Sequence, residues 1–79
     1  MLNSDRPRRL NPAKLPLSKW TAVAPVRREK HFIVTRLLEP EPPAVRPEWV
    51  ELEAVHSGRS RVLPWRELLD AERWLQGWK

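Results

Sequence analysis

Cysteine and tyrosine are absent from this 79-residue chain, and glycine occurs only as Gly58 and Gly77. Without cysteine there is no disulfide and no thiolate-ligated zinc or iron–sulfur centre. Two isolated glycines make no glycine-rich loop of the kind that cradles phosphates. No apolar run approaches the ~18 residues of a membrane-spanning helix. The opening Met1-Leu2-Asn3-Ser4-Asp5 has no apolar stretch for a signal peptide. From these absences we expect a soluble, cytoplasmic protein. The length suits one small domain. A chain this short buries only roughly 60% of its unfolded surface, so its core is marginal.

Histidine is nearly as scarce, with only His31 and His56. A catalytic triad needs a nucleophile held by a base that is itself oriented. The serines are Ser4, Ser18, Ser57 and Ser60. Ser57 adjoins His56, but neighbours in a hairpin turn point apart, and turn chemistry accounts for that serine. No pair of histidines sits at a metal-ligand spacing, and Glu51 and Glu53 read as the solvent side of a strand. We therefore expect no enzyme, no catalytic residue, no cofactor and no metal.

What is present is positive charge, proline and tryptophan. Lys+Arg is 15 against Asp+Glu 10, a formal charge of +5. Residues 1–14 carry +3 and residues 15–38 carry +4. Residues 39–53 reverse to −4 through Glu39, Glu41, Glu48, Glu51 and Glu53, offset by Arg46. Arg59, Arg61 and Arg66 then form a second basic cluster. A basic surface attracts phosphates over a range set by salt; a merely solvated face is the bland alternative. Pro7, Pro12 and Pro16 punctuate the start, so residues 1–13 are expected to be a flexible basic arm and 14–79 a single tryptophan-rich domain. Pro40, Pro42, Pro43 and Pro47 make 39–47 an extended loop, more simply a stiff connector than a docking site.

Periodicity places the elements. Trp20, Ala22 and Ala24 share one side of a strand over 17–24, which Pro25 should stop. Residues 31–38 are β-branched and aromatic, with Phe32, Val34 and Leu38 pointing one way and His31, Ile33, Thr35 and Leu37 the other. Val50, Leu52 and Ala54 alternate with Glu51 and Glu53. Ser57-Gly58 then predicts a hairpin to Val62-Leu63. A two-residue loop would set Leu52 opposite Leu63; a three-residue loop would set Ala54 opposite Val62. Pro64 followed by Trp65, Leu68 and Leu69 predicts a short helix at 65–69. Asp70 can cap a second turn or helix ending near Gly77. Trp74 and Trp78, four apart, should share a face in either period. The expected fold class is α+β: a small antiparallel β-sheet or SH3-like barrel of three to four strands with a short C-terminal helical segment.

Five tryptophans in so short a chain are the unusual feature. Each indole can bury on the order of 200 Å², and small domains without disulfides need such core material. Trp20, Trp65 and Trp74 are assigned to the core. Trp49 is out of phase with Val50, Leu52 and Ala54, and Trp78 adjoins Lys79, so these two are the candidate partner-binding residues.

Several segments together resemble a known family. They are Leu10-Asn11-Pro12, Leu17 to Pro25, Glu29-Lys30-His31-Phe32, Val50 to Val55, Trp65-Arg66-Glu67-Leu68 and Trp74 to Lys79. In these the chain resembles a family of small tryptophan-rich, conserved hypothetical bacterial proteins of unknown function. The resemblance implies one domain over most of the chain and brings no catalytic residue, cofactor or substrate. The functional expectation is a non-enzymatic binding domain contacting RNA or another polyanion through Lys19, Arg27, Arg28, Lys30, Arg36, Arg59 and Arg61. The alternative is a protein–protein interaction module using Trp49, Trp78 and the proline-rich loop. No membrane partner is expected, and the oligomeric state stays open.

Overall fold

Side chains with a period of two put one side of each strand into a core, and that pattern organises the sheet. The structure, a computed structural model, describes residues 9–79. Its strands are β1 (Lys19–Val26), β2 (Glu29–Leu37), β3 (Trp49–Ala54), β4 (Ser60–Pro64) and β5 (Trp74–Gln76). They form one sheet in the order β4-β3-β2-β1-β5, every neighbouring pair antiparallel. Among the described residues, two 3₁₀ turns, Pro12–Lys14 and Trp65–Leu69, complete the regular structure and no α-helix occurs.

One side of the sheet is the core: Trp20, Phe32, Val34, Val50, Leu52, Ala54, Leu63 and Trp74. The chain on either side of the sheet covers it with Leu15 and Leu68, and with Leu10 and Trp65 at the margin. Trp74 meets Phe32 edge-on, ring centroids 5.2 Å apart, a favoured arrangement for two rings. The opposite side of the sheet carries Lys19, Thr21, His31, Ile33, Thr35, Glu51, Glu53, Val62 and Leu75, by their register with one another. The C-terminal tail partly covers it at the β1–β2 end, and the β2–β3 loop lies beside Trp49 and Val62.

The architecture corrects the expected fold class in three ways. There are five strands rather than three or four, so the fold is mostly β and not α+β. The sheet is open, with β4 and β5 as its two edges, and so is no closed SH3-like barrel. There is no C-terminal helical segment. The 65–69 stretch makes a single 3₁₀ turn, because five residues cannot offset the cost of nucleating an α-helix. Beyond it, Trp74–Gln76 gains more by pairing with β1, where Ala22 faces Trp74 and Trp20 faces Gln76.

Bulges account for the remaining differences. A shift in the β2–β3 ladder sets both Thr35 and Arg36 against Glu51 and brings Leu37 opposite Val50. Leu37 therefore joins the core side, opposite to its expected direction. The β1–β2 ladder also shifts between Thr21 and Val26. β1 runs on through Pro25, where β5 no longer pairs with it, so the missing N–H breaks no ladder. In the β3–β4 hairpin Val50 faces Leu63 and Leu52 faces Arg61, which neither expected loop length provides. The connection spans Val55 to Arg59, and Gly58 turns at φ 75 with its N–H donating to the Ala54 carbonyl (2.8 Å).

The expected arm at 1–13 falls partly outside the described residues. Of its described part, Leu10 packs against the core, and the Asn11 side chain accepts from the Ala13 N–H (3.1 Å) to cap the first 3₁₀ turn. The proline-rich stretch is a loop as expected, joining β2 to β3, with a cis Pro42–Pro43 bond.

Candidate functional site: a groove built on Trp49

The five indoles separate by what their ring N–H groups do. Trp20 and Trp74 are buried, Trp65 is half-buried, and Trp49 and Trp78 are 49% and 43% exposed. The Trp20 N–H donates to Ser18 Oγ (2.8 Å), Trp65 to the Pro47 carbonyl (3.2 Å) and Trp74 to Glu67 Oε2 (3.2 Å). Trp78 donates to the Phe32 carbonyl (3.0 Å). Among the described residues, the Trp49 N–H has no protein acceptor. A buried indole usually finds one; an exposed indole with an open N–H keeps both its polar and its apolar capacity for a ligand.

Trp78 is a structural strap in spite of its exposure. Gly77 adopts φ 82 and turns the chain out of β5, so Trp78 crosses to the side opposite Trp74. The two do not share a face. Its ring lies 5.9 Å from His31, and the Lys19 ammonium sits 4.7 Å from its centroid. Thr21, buried in the sheet, pins the tail twice: its hydroxyl donates to the Gly77 carbonyl (2.7 Å) and accepts from the Lys79 N–H (2.9 Å).

Trp49 has a different setting. It lies at the start of β3, opposite Pro64, on the side away from the core. Trp49 and Val62 form one wall of a groove of about 630 Å³, and the loop residues Leu38, Pro40 and Ala44 form another. Glu39, Glu41 and Glu48 line it against the single cation Arg46. Glu48 is paired with Arg66 (3.1 Å), while Glu39 and Glu41 make no ion pair among the described residues. Large apolar area beside a few polar groups is the usual make-up of a binding groove.

The seven cations expected to form one basic patch are divided. Lys19 is held over Trp78, and Arg36 pairs with Glu51 (3.4 Å) beyond the β2 bulge, both away from the core side. Arg27 and Arg28 occupy the β1–β2 turn and Lys30 follows it, all exposed. Arg59 pairs with Glu29 (3.4 Å). Arg61 lies on the core side, its guanidinium 5.2 Å from the Phe32 ring and 5.4 Å from Trp74. Alternation alone could not reveal this, because two bulges and an unpredicted register decide which side each cation takes.

His31 lies beneath Trp78, and His56 is exposed in the β3–β4 loop. The Ser57 hydroxyl donates to Glu29 and accepts from the Arg59 N–H. Among the described residues no group of three His, Cys, Asp or Glu could hold a metal ion, and no helix is long and apolar enough to cross a membrane. Sequence reasoning selected Trp49 but missed Leu38, Ala44 and Val62 as its partners in the groove. The observed hairpin register would have brought Val62 beside Trp49.

The sequence model of the family described as Tryptophan-rich protein (DUF2389) matches residues 18–79. No curated protein and no solved structure matches the chain.

Proposed function

The chain belongs to this tryptophan-rich family of unknown function, and on that footing we propose that it is a non-catalytic protein-interaction module that docks a peptide in the Trp49 groove. One observation carries the reading. Among the described residues, Trp49 is the single indole of five whose N–H has no acceptor and whose ring flanks an open groove. Tryptophan is enriched among residues that dominate interface energies. The acidic rim favours a partner segment that carries Lys or Arg beside an apolar side chain, since opposite potentials select and orient partners. This reading is preferred to the seven-residue polyanion patch because those cations lie on both sides of the sheet, and Arg36 and Arg59 are already paired with carboxylates.

A displayed library of short random peptides, selected on the intact protein, tests it. The selected peptides should combine a basic residue with a large apolar one. Trp49→Ala should weaken them at least tenfold, and the Trp49 indole N–H resonance should shift on titration. Selection of no binder, or of binders indifferent to Trp49→Ala, would overturn the proposal.

A further inference from the structure

At the other end of the strands the charge is of the opposite sign. Arg27, Arg59 and Arg61 line a shallow recess of about 380 Å³ together with Val26, Phe32 and Ser60. One carboxylate, Glu29, enters it, and that group is engaged by Arg59 and the Ser57 hydroxyl. Two features single the recess out.

The first is Arg61. It faces the core residue Leu52 across the β3–β4 ladder and shares its side of β4 with the core residue Leu63. An arginine there breaks the apolar pattern, and such breaks gather at functional sites. Its guanidinium rests over two aromatic rings, which orient it without neutralising it. Among the described residues it forms no ion pair. On its far side are Glu67, Glu72 and Arg73, but Glu67 is taken by the Trp74 N–H and by Arg73.

The second is the turn. Arg27 and Arg28 both have positive φ, 56 and 65, and Val26 pairs with Glu29 across them. Such a two-residue turn ordinarily holds Asn-Gly, because other side chains are strained there. The strained tip turns Arg27 into the recess and adds one more cation, Arg28, beside it, and Lys30 follows.

We propose that this recess binds the phosphodiester backbone of single-stranded nucleic acid, independently of the peptide groove. A run of cations along the turn suits a chain of phosphates better than one isolated anion. Phe32 and Trp74 are buried beneath Arg61, so no base stacks on them. The contacts are to phosphate alone, and binding shows no base preference.

Fluorescence anisotropy of a labelled oligouridylate tests this. Binding should be measurable at low salt and should weaken roughly tenfold between about 50 and 200 mM salt, the slope for two to three phosphates on a single strand. Arg27→Glu should weaken it at least tenfold. Arg61→Met, which keeps an apolar stem over the rings, should weaken it severalfold while the fold survives by circular dichroism. Lys14→Glu, an equal charge change outside the recess, and Trp49→Ala should leave it within twofold. Absence of binding at low salt would overturn the proposal. So would equal losses from Lys14→Glu and Arg27→Glu, or displacement of the oligonucleotide by inorganic phosphate at matched phosphate concentration, which would assign the recess to an isolated anion.

Discussion

A tryptophan in this chain is structural or available according to whether its N–H is engaged. Trp20 and Trp74 are buried to 1% and 2% exposure, and each supplies both apolar area and a satisfied donor. Trp20→Ala or Trp74→Ala should cost about 3–5 kcal/mol. That is a large share of the roughly 5–15 kcal/mol available to a whole domain, so either variant should unfold at a much lower urea concentration than the native protein. Trp49→Ala should instead change stability by no more than about 0.5 kcal/mol, as surface substitutions do. That contrast also decides whether a loss of peptide binding by Trp49→Ala is local. At this scale the sequence was informative. The phase break between Trp49 and Val50 set Trp49 apart from the core stripe without deciding which indoles are exposed, and in the structure both Trp49 and Trp78 are. Trp78 was ambiguous because nothing in its neighbours reveals that Gly77 turns it onto His31 and the Phe32 carbonyl.

Among the elements, the β1–β2 turn and the C-terminal tail carry the clearest expectations. Replacing Arg27-Arg28 by Asn-Gly should relieve strain that amounts to about 1–2 kcal/mol per residue in ordinary L-residues. A net gain of only about 1 kcal/mol would raise Tm by roughly 4–8 °C in a domain this size. The same variant should lose oligouridylate binding, so stability and binding should move in opposite directions. One hydroxyl makes two of the bonds that hold the tail. Thr21→Val removes both bonds to residues 77 and 79 and should cost about 1–3 kcal/mol. Hydrogen exchange at the Trp78 indole should accelerate, since its bond to Phe32 depends on the tail staying in place. Strand existence was legible at this scale, from the apolar and polar alternation of Val50 to Ala54 and the β-branched run at Phe32 to Val34. Register was not: bulges at Thr35 and in β1 are set by how neighbouring ladders fit, and they reversed Leu37.

For the molecule as a whole, the two proposed sites lie at opposite ends of the strands. Leu37 of β2 and Trp49 of β3 adjoin the proline-rich loop and its groove, while Glu29 and Ala54 adjoin the arginine recess. The nine residues of β2 separate them by roughly 26–30 Å at ~3.3 Å per residue. That exceeds a Debye length of ~8 Å at physiological salt. A selected peptide and an oligouridylate should therefore bind together, each leaving the other's Kd within twofold in paired titrations. The linear pattern by itself determined that the chain has no thiol chemistry, that its prolines interrupt it between two strand-forming halves, and that indoles supply much of its core. Those properties belong to composition and to neighbours a few residues apart. Only the tertiary structure decided that the sheet stays open with five strands, that the tail pairs with β1 instead of coiling, and that the seven cations divide between two sides. Each of these depends on contacts between distant segments, where one extra residue in a ladder reverses every side chain that follows.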